Sequence, residues 1–269
     1  MRKTGTIFRS IKGCDDGYLA EHIRSVGFDN VFTKYTDSKS AEHFANVFAR
    51  AGLYYESIHA PYKNMNDIWA DDESGEAMLG WLMDCLADCR RWNVPIMVVH
   101  LNKGLTPPPI NDTGRARWDR LVDAAIGAGV RVAFENQRRL DTVTWAMELY
   151  SDVPQVGFCW DCGHEHCFAN GVEFMKLFGD RLIYTHIHDN MGVVRGVLEH
   201  PSADDLHMIP FDGNLDFSRF AEHIREHNYK GSLTLELCPY THNGYNLKYT
   251  PEQFFSRAYD AVSRLVKMC

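Results

Sequence analysis

Short runs rich in Val, Ile and Phe alternate eight times with longer amphipathic stretches from one end of this chain to the other. The runs predicted as strands are Gly5 to Arg9, Asn30 to Thr33, Tyr55 to His59, Ile96 to His100, Val130 to Glu135, Val156 to Asp161, Leu182 to His186 and Ser232 to Leu237. Each precedes a helical pattern: Gly17 to Val26, Ser38 to Ala51, Glu73 to Trp92, Thr113 to Gly127, Asp141 to Tyr150, Val172 to Phe178, Asp216 to Asn228 and Pro251 to Lys267. Ser38 and Asp141 are placed to N-cap, Pro251 sits near a first turn, and Gly27, Gly52 and Gly129 lie just past helical runs. Eight such units predict an α/β fold, a closed barrel of parallel strands covered by helices. An open doubly wound sheet is the competing arrangement, but no glycine-rich phosphate loop follows the first strand. The expectation is therefore one (β/α)8 barrel domain over residues 1–269, with its active site at the C-terminal rim of the strands.

With 269 residues, 45% of them hydrophobic, the chain can bury a core of that size. A formal charge of −8 argues against a general polyanion binder, so no nucleic acid is expected and small neutral or polar substrates fit better. The first residues, MRKTGTIFRSIKG, lack the apolar core of a signal peptide, so the eight cysteines are expected to be reduced thiols in a cytoplasm. No apolar run approaches the ~18 to 20 residues that cross a bilayer, and no membrane association is expected.

Four strand runs end on a carboxylate or an imidazole, at Glu135, Asp161, His186 and Glu236. Strand ends of a closed barrel meet at one rim, so these residues converge although they are far apart in sequence. A carboxylate that closes an apolar strand, as in Val132-Ala133-Phe134-Glu135 and Leu233-Thr234-Leu235-Glu236, needs a cation, an Arg or solvent. Two Glu, one Asp and one His suit Mn²⁺, Mg²⁺, Co²⁺ or Zn²⁺ better than an iron–sulfur or copper centre.

The stretch Cys159 to Cys167 is the densest cluster of ligand types. Cys159 and Cys162 lack a second ligand pair at matching spacing, so Asp161 with His164 one turn on is preferred over a zinc or redox pair. Period-two geometry puts His186 and His188 on the same side of their strand, and either reaches the interior. His59 and His100 end earlier strands, where single histidines are more often hydrogen-bonded mouth residues than ligands. Asp205 and His207 sit in a long loop whose simplest reading is a solvated turn, and His22, His43, His223 and His227 fall on helices and are expected at the surface. Long connections at 60–72, 101–112 and 189–215 follow strands and belong to the substrate rim. Arg138, Arg139 and Arg195 are too few for a DNA groove but suit a phosphorylated or carboxylated sugar. Trp69, Trp81, Trp160, Tyr62 and Tyr245 are candidates for an apolar wall, with core packing as the alternative.

Taken together, Glu135-Asn136, Asp161-x-x-His164, His186-x-x-Asp189 and the final-strand Glu236 resemble the xylose-isomerase-like barrels over nearly the whole chain. Asp205-x-His207 and the segment Asp212 to Phe217 resemble that family's usual lead into its last helix. The family contains sugar and sugar-phosphate isomerases, ketose 3-epimerases, inosose dehydratases and the endonuclease IV type of apurinic-site nuclease. The resemblance implies that Glu135, Asp161, His186 and Glu236 hold one divalent metal ion (Mn, Co, Mg or Zn), and it selects His186 over His188. It implies that His164 contacts a substrate hydroxyl, with His59, His100, His207 and Arg195 as further substrate-binding residues and Asp205 with His207 as additional metal ligands.

The implied activity is that of a metal-dependent sugar or sugar-phosphate isomerase or epimerase of carbohydrate metabolism. Glu135 and Glu236 would be its catalytic acid/base pair, transferring a proton through a metal-stabilised enediolate. Two alternatives are an inosose-type dehydratase and an apurinic-site endonuclease with a multi-zinc site. The nine residues His59, His100, Glu135, Asp161, His164, His186, Asp205, His207 and Glu236 also resemble a three-metal nuclease cluster, whereas the acidic balance opposes DNA binding. The expected partner is a small carbohydrate, and a homo-oligomer is compatible with this kind of barrel.

Overall fold

The computed structural model describes residues 2–194, 203–239, 246 and 248–269. Eight strands are joined in one parallel sheet: β1 (Thr4–Ile7), β2 (Asn30–Lys34), β3 (Tyr54–His59), β4 (Ile96–Val99), β5 (Arg131–Glu135), β6 (Val156–Asp161), β7 (Leu182–His186) and β8 (Leu233–Leu235). Their order is β7-β6-β5-β4-β3-β2-β1-β8, so every strand from β1 to β7 lies beside its sequence neighbour and β8 returns to β1. The two ends of this sheet meet in an Ile187–Leu235 bridge, with Ile187 N donating to Thr234 O at 2.9 Å and Glu236 N to Ile187 O at 3.0 Å. Thr185 Oγ1 extends the seam by accepting from Thr234 N and donating to Ser232 O. A side chain thus replaces part of the last ladder, and the α/β barrel is nearly closed.

The helices are α1 (Asp16–Val26), α2 (Ser38–Ala51), α3 (Glu73–Arg91), α4 (Asp112–Ala128), α5 (Leu140–Leu149), α6 (Cys162–Phe168), α7 (Phe174–Phe178), α8 (Phe217–Glu226) and α9 (Pro251–Met268). Gly27, Gly52 and Gly129 stand at the C-caps of α1, α2 and α4, as expected. Two caps differ from expectation. Asp37, not Ser38, caps α2, because its extended backbone lets the carboxylate accept from Ser40 N at 2.8 Å. The α5 helix has no side-chain cap, because Asp141 already lies in its first turn and pairs with Arg139. The α6 helix was not foreseen: seven residues without an apolar stripe give no helical period to detect. The segment Asp212 to Phe217 leads into α8, with α9 still to follow.

The main core fills the space between strands and helices, and it includes Trp69 and Trp160, so packing rather than a substrate wall explains those two aromatics. A second, smaller cluster inside the barrel joins Ile96, Val98, Ala133, Cys159 and Tyr184. Side chains two apart on a strand share a face. This apolar layer therefore lies one step below His100, Glu135, Asp161 and His186, and the rim residues stand on a floor of low polarity. Burial pushes the Cys159 thiol up to about 12, so it is a protonated side chain of that floor, and Cys162 Sγ is turned to His188 O at 3.7 Å.

Candidate metal centre

Glu135 is the hub of the rim. Its Oε2 lies 3.1 Å from His100 Nε2 and 3.3 Å from both His59 Nε2 and His186 Nδ1, and its Oε1 lies 3.1 Å from His164 Nδ1. Burial alone would raise its pKa, but the surrounding imidazoles, His100 and His186 foremost, hold it well below the usual carboxylate range. Glu236, just past β8, is equally buried. Its Oε1 meets Lys34 Nζ at 2.8 Å and its Oε2 meets His186 Nδ1 at 3.0 Å. Against the cost of burial, Lys34 and then His186 keep this carboxyl well below its ordinary range as well.

Asp161 closes β6 and caps α6 through His164 N at 2.6 Å. Its backbone is pinned from Asn136, whose side chain accepts from Asp161 N and donates to Asp161 O, both at 2.8 Å. This reciprocal pair is the physical content of the Glu135-Asn136 dipeptide: one residue enters the site and the next fixes the neighbouring strand end. Asn136→Ala would leave two buried backbone groups unpaired, at roughly 1–3 kcal/mol each. Denaturant unfolding should therefore show a loss of about 2–6 kcal/mol, and a loss below about 1 kcal/mol would contradict this role.

The donor groups at the rim, among the described residues, include Glu135, Asp161, His186 and Glu236; His59, His100 and Glu135, which shares Glu135 with the first; and His164, His188, Asp205 and His207, which shares no residue with either. Asp161 Oδ2, His186 Nδ1 and His188 Nε2 are buried within 3.4 Å of an oppositely charged group yet are not aligned for a hydrogen bond, and His186 Nε2 and His188 Nδ1 are buried without a hydrogen-bond partner among the described residues. His59, His164 and His207 each have Nδ1 against a backbone carbonyl, of Ala60, Asn136 and Glu236. In His59 that contact assigns the proton to Nδ1 and leaves Nε2 bare, whereas against the cost of burial Asp161 and Asp205 push His164 well above the usual imidazole range and favour its protonated form. The Nε2 atoms face carboxylates, Glu135 at 3.3 Å, Asp205 at 3.5 Å and Asp205 at 3.3 Å respectively. Burial drives His59 down to about 4, so it is neutral and turns a lone pair toward an anion. A cation between them relieves that opposition, and the oxygen and imidazole donor set fits a divalent ion.

The sequence-predicted Glu135, Asp161, His186 and Glu236 therefore gather in one place with His59, His100, His164, Asp205 and His207. Arg195 and Tyr245 lie outside the described residues. Arg139 is tied to Asp141 away from the cleft, whereas Arg138 lines it with its guanidinium over Phe168 at 3.8 Å. Asp205 and His207 are not a solvated turn. Asp189 accepts from the backbone N–H groups of Asn190, Phe211 and Gly213 at 2.9 Å and Leu215 at 3.1 Å, and that clamp, with the Asp189–Met208 bridge, folds the loop over the rim. His223 is not a surface residue either: it is buried edge-on against Trp160 and meets Glu173 at 3.2 Å.

Sequence reasoning set His188 aside and missed Lys34 and Gln137. His188 is fully buried, 3.1 Å from Asp161 and stacked on His207 at 4.1 Å. Its ring passes so near α6 that a Cβ on Gly163 would lie 2.0 Å from it, which explains a glycine inside that short helix. Lys34 had a usable signal, a cation on the last residue of a strand. Gln137 had none, because only folding brings its amide to 3.1 Å from His100 and 3.2 Å from His164. The cleft above these groups has a volume of about 260 Å³, at the small end for ligand sites.

Two curated relatives are of undetermined function. The protein y4fM of Sinorhizobium fredii is 35% identical over 119 residues, 44% of this chain and 34% of that protein. MJ1311 of Methanocaldococcus jannaschii is 23% identical over 196 residues, 66% of this chain and 63% of that protein. The chain thus spans about a third and just under two thirds of the length of the curated relatives it matches. Solved structures with the same fold include an L-ribulose 3-epimerase (TM-score 0.74, 16% identity, 99% of this chain and 95% of that one). Another is the 3-keto-D-glucoside 4-epimerase YcjR from E. coli (TM-score 0.72, 18% identity, 99% of this chain and 100% of that one). The family model described as xylose isomerase-like TIM barrel matches residues 20–267, and the chain belongs to that family.

Proposed function

We propose that this protein is a divalent-metal-dependent sugar isomerase or epimerase that transfers a proton at a carbon next to a carbonyl. The observation that carries this reading is the placement of two buried carboxylates, Glu135 and Glu236, on strands three apart around the ring, flanking one imidazole, His186. Fold neighbours that are sugar epimerases support it.

Glu135, Asp161, His186 and Glu236 would hold the metal, which when bound polarises a carbonyl and an adjacent hydroxyl oxygen of the sugar. Glu135 and Glu236 remain ionised beside their cationic neighbours, so either can accept a carbon-bound proton. Removal by one carboxylate and return by the other on the opposite face inverts the carbon. Return to the neighbouring carbon instead interconverts aldose and ketose. Lys34 holds Glu236 in place through its 2.8 Å contact, and His164, at the cleft wall, is placed to orient a substrate hydroxyl. The same reading takes residues 1–269 as one domain working on a small carbohydrate in a reducing cytoplasm. It is supported by eight free thiols and by the lack, among the described residues, of a helix long and apolar enough to cross a membrane.

The test is to incubate the Mn²⁺-loaded protein with a panel of ketoses and inososes in deuterated water and follow the sugars by NMR. Deuterium should enter at the carbon beside the carbonyl as an epimer or isomer accumulates. Loss of water from an inosose would select the dehydratase, and no exchange in any sugar would overturn the proposal. A second reading, phosphodiester cleavage at a multi-zinc site, is favoured by one observation: the two further donor groups beside the first. The net charge of −8 opposes it.

A further inference from the structure

Arg9 follows β1 and Lys34 ends β2, neighbouring strands whose ladder continues through Phe8 N to Phe32 O at 2.8 Å. Lys34 Nζ lies 5.2 Å from the centre of the Tyr62 ring, and Lys103 Nζ lies 5.5 Å from the same ring. All three cations line the cleft that holds the candidate metal residues. Lys34 has a counter-charge in Glu236 at 2.8 Å. Arg9 and Lys103 have no carboxylate within ion-pairing distance among the described residues, and Arg9 Nε is buried without a hydrogen-bond partner.

A divalent cation and Lys34 would offset Glu135, Asp161 and Glu236, and Asp205 stands against Arg138, so among the described residues Arg9 and Lys103 are left without a carboxylate partner at the cleft. Arg9 is partly buried and Lys103 is exposed at the cleft mouth, so both are open to an incoming anion. The guanidinium fork of Arg9 matches a carboxylate or phosphate in bidentate geometry, and Lys103 supplies a second point charge.

We propose that the substrate is an anionic sugar whose carboxylate or phosphate is bound by Arg9 and Lys103 beside Tyr62, with its carbonyl end toward Glu135 and Glu236. This specificity rests on the sugar-enzyme reading above, and Arg9 is its principal determinant.

Titration calorimetry on the Mn²⁺-loaded full chain tests it with three probes of one six-carbon skeleton: D-fructose, D-fructose 6-phosphate and D-fructuronate. A charge-assisted contact should make at least one charged sugar bind about tenfold or more tighter than D-fructose, and whichever charged sugar binds tighter identifies the group. Arg9→Met should remove most of that advantage and change D-fructose binding by less than about threefold, while Arg9→Lys, which keeps the charge, should retain most of it. Equal affinities for neutral and charged sugars, an equal loss for all three in Arg9→Met, or no binding by any of them would overturn the proposal. Deuterium exchange reads the other question separately. Exchange in a neutral ketose without charge preference would sink this specificity alone, and charge-selective binding without exchange in any sugar would sink the enzyme reading alone.

Discussion

Glu236→Gln should lower kcat on an accepted sugar by about 10³-fold, within the 10²–10⁴ range of a lost general acid or base, while sugar binding stays within a few-fold of the parent. The substitution keeps the shape of the side chain and removes the charge that Lys34 and His186 both face. An amide at this position can neither take a proton from carbon nor return one. Because Glu236 also belongs to the first donor group, metal content has to be measured on the same sample. A variant that keeps its metal and binds sugar but does not turn over supports the acid/base role. Turnover within tenfold of the parent, with the metal retained, would remove Glu236 from the chemistry. Glu135→Gln should be as severe in kcat and should also disturb folding, because Glu135 faces four imidazoles.

The second large effect is expected on stripping divalent ions. Protein purified without chelator or affinity metal should carry about one equivalent of Mn²⁺, Co²⁺, Mg²⁺ or Zn²⁺. Dialysis against chelator should abolish turnover, and re-addition of Mn²⁺ or Co²⁺ should restore it. A ligand that binds only the folded chain stabilises it by about 2.7 kcal/mol at one hundred times its Kd. For a chain of this size that is a rise in Tm of roughly 5–10 °C. The physical cause is the cluster of three buried carboxylates, Glu135, Asp161 and Glu236, beside the neutral His59 and unaligned imidazole nitrogens, a donor set that a divalent cation satisfies. Two or three equivalents of zinc would bring the phosphodiester reading to the front, through the groups at His59 and His100 and at His164, Asp205 and His207. No bound metal after Mn²⁺ or Co²⁺ addition, and no shift in Tm, would sink the mechanism.

Much of the barrel was legible because its signals are local. The strand from Val156 to Asp161 and the helix from Ser38 to Ala51 match their predicted bounds, since an apolar run and a 3.6-residue stripe are each written within a few adjacent residues. Boundaries slipped where pairing ends. His100 lies just past β4, because the β3–β4 ladder stops at His59 opposite Val98. The short α6 escaped notice because Asp161 nucleates it through a cap, without any apolar period. Among site residues, Glu135, Asp161, His186 and Glu236 were visible as polar endings on apolar strands, and they do form one donor group.

The chain's own pattern was enough to establish the eight βα units and the four rim residues, because strand period and strand ending are properties of neighbours in sequence. Tertiary structure alone decided that Glu135 is shared by three strands' histidines and that Asp205 and His207 enter the cleft. It alone also set Lys34 against Glu236 and, among the described residues, left Arg9 at the cleft without a carboxylate partner. Each of those depends on contacts between residues far apart in sequence, such as the Asn136 bonds to Asp161 and the Asp189 clamp on residues 211–215. Such contacts have no local period to read, and they form only when the barrel closes.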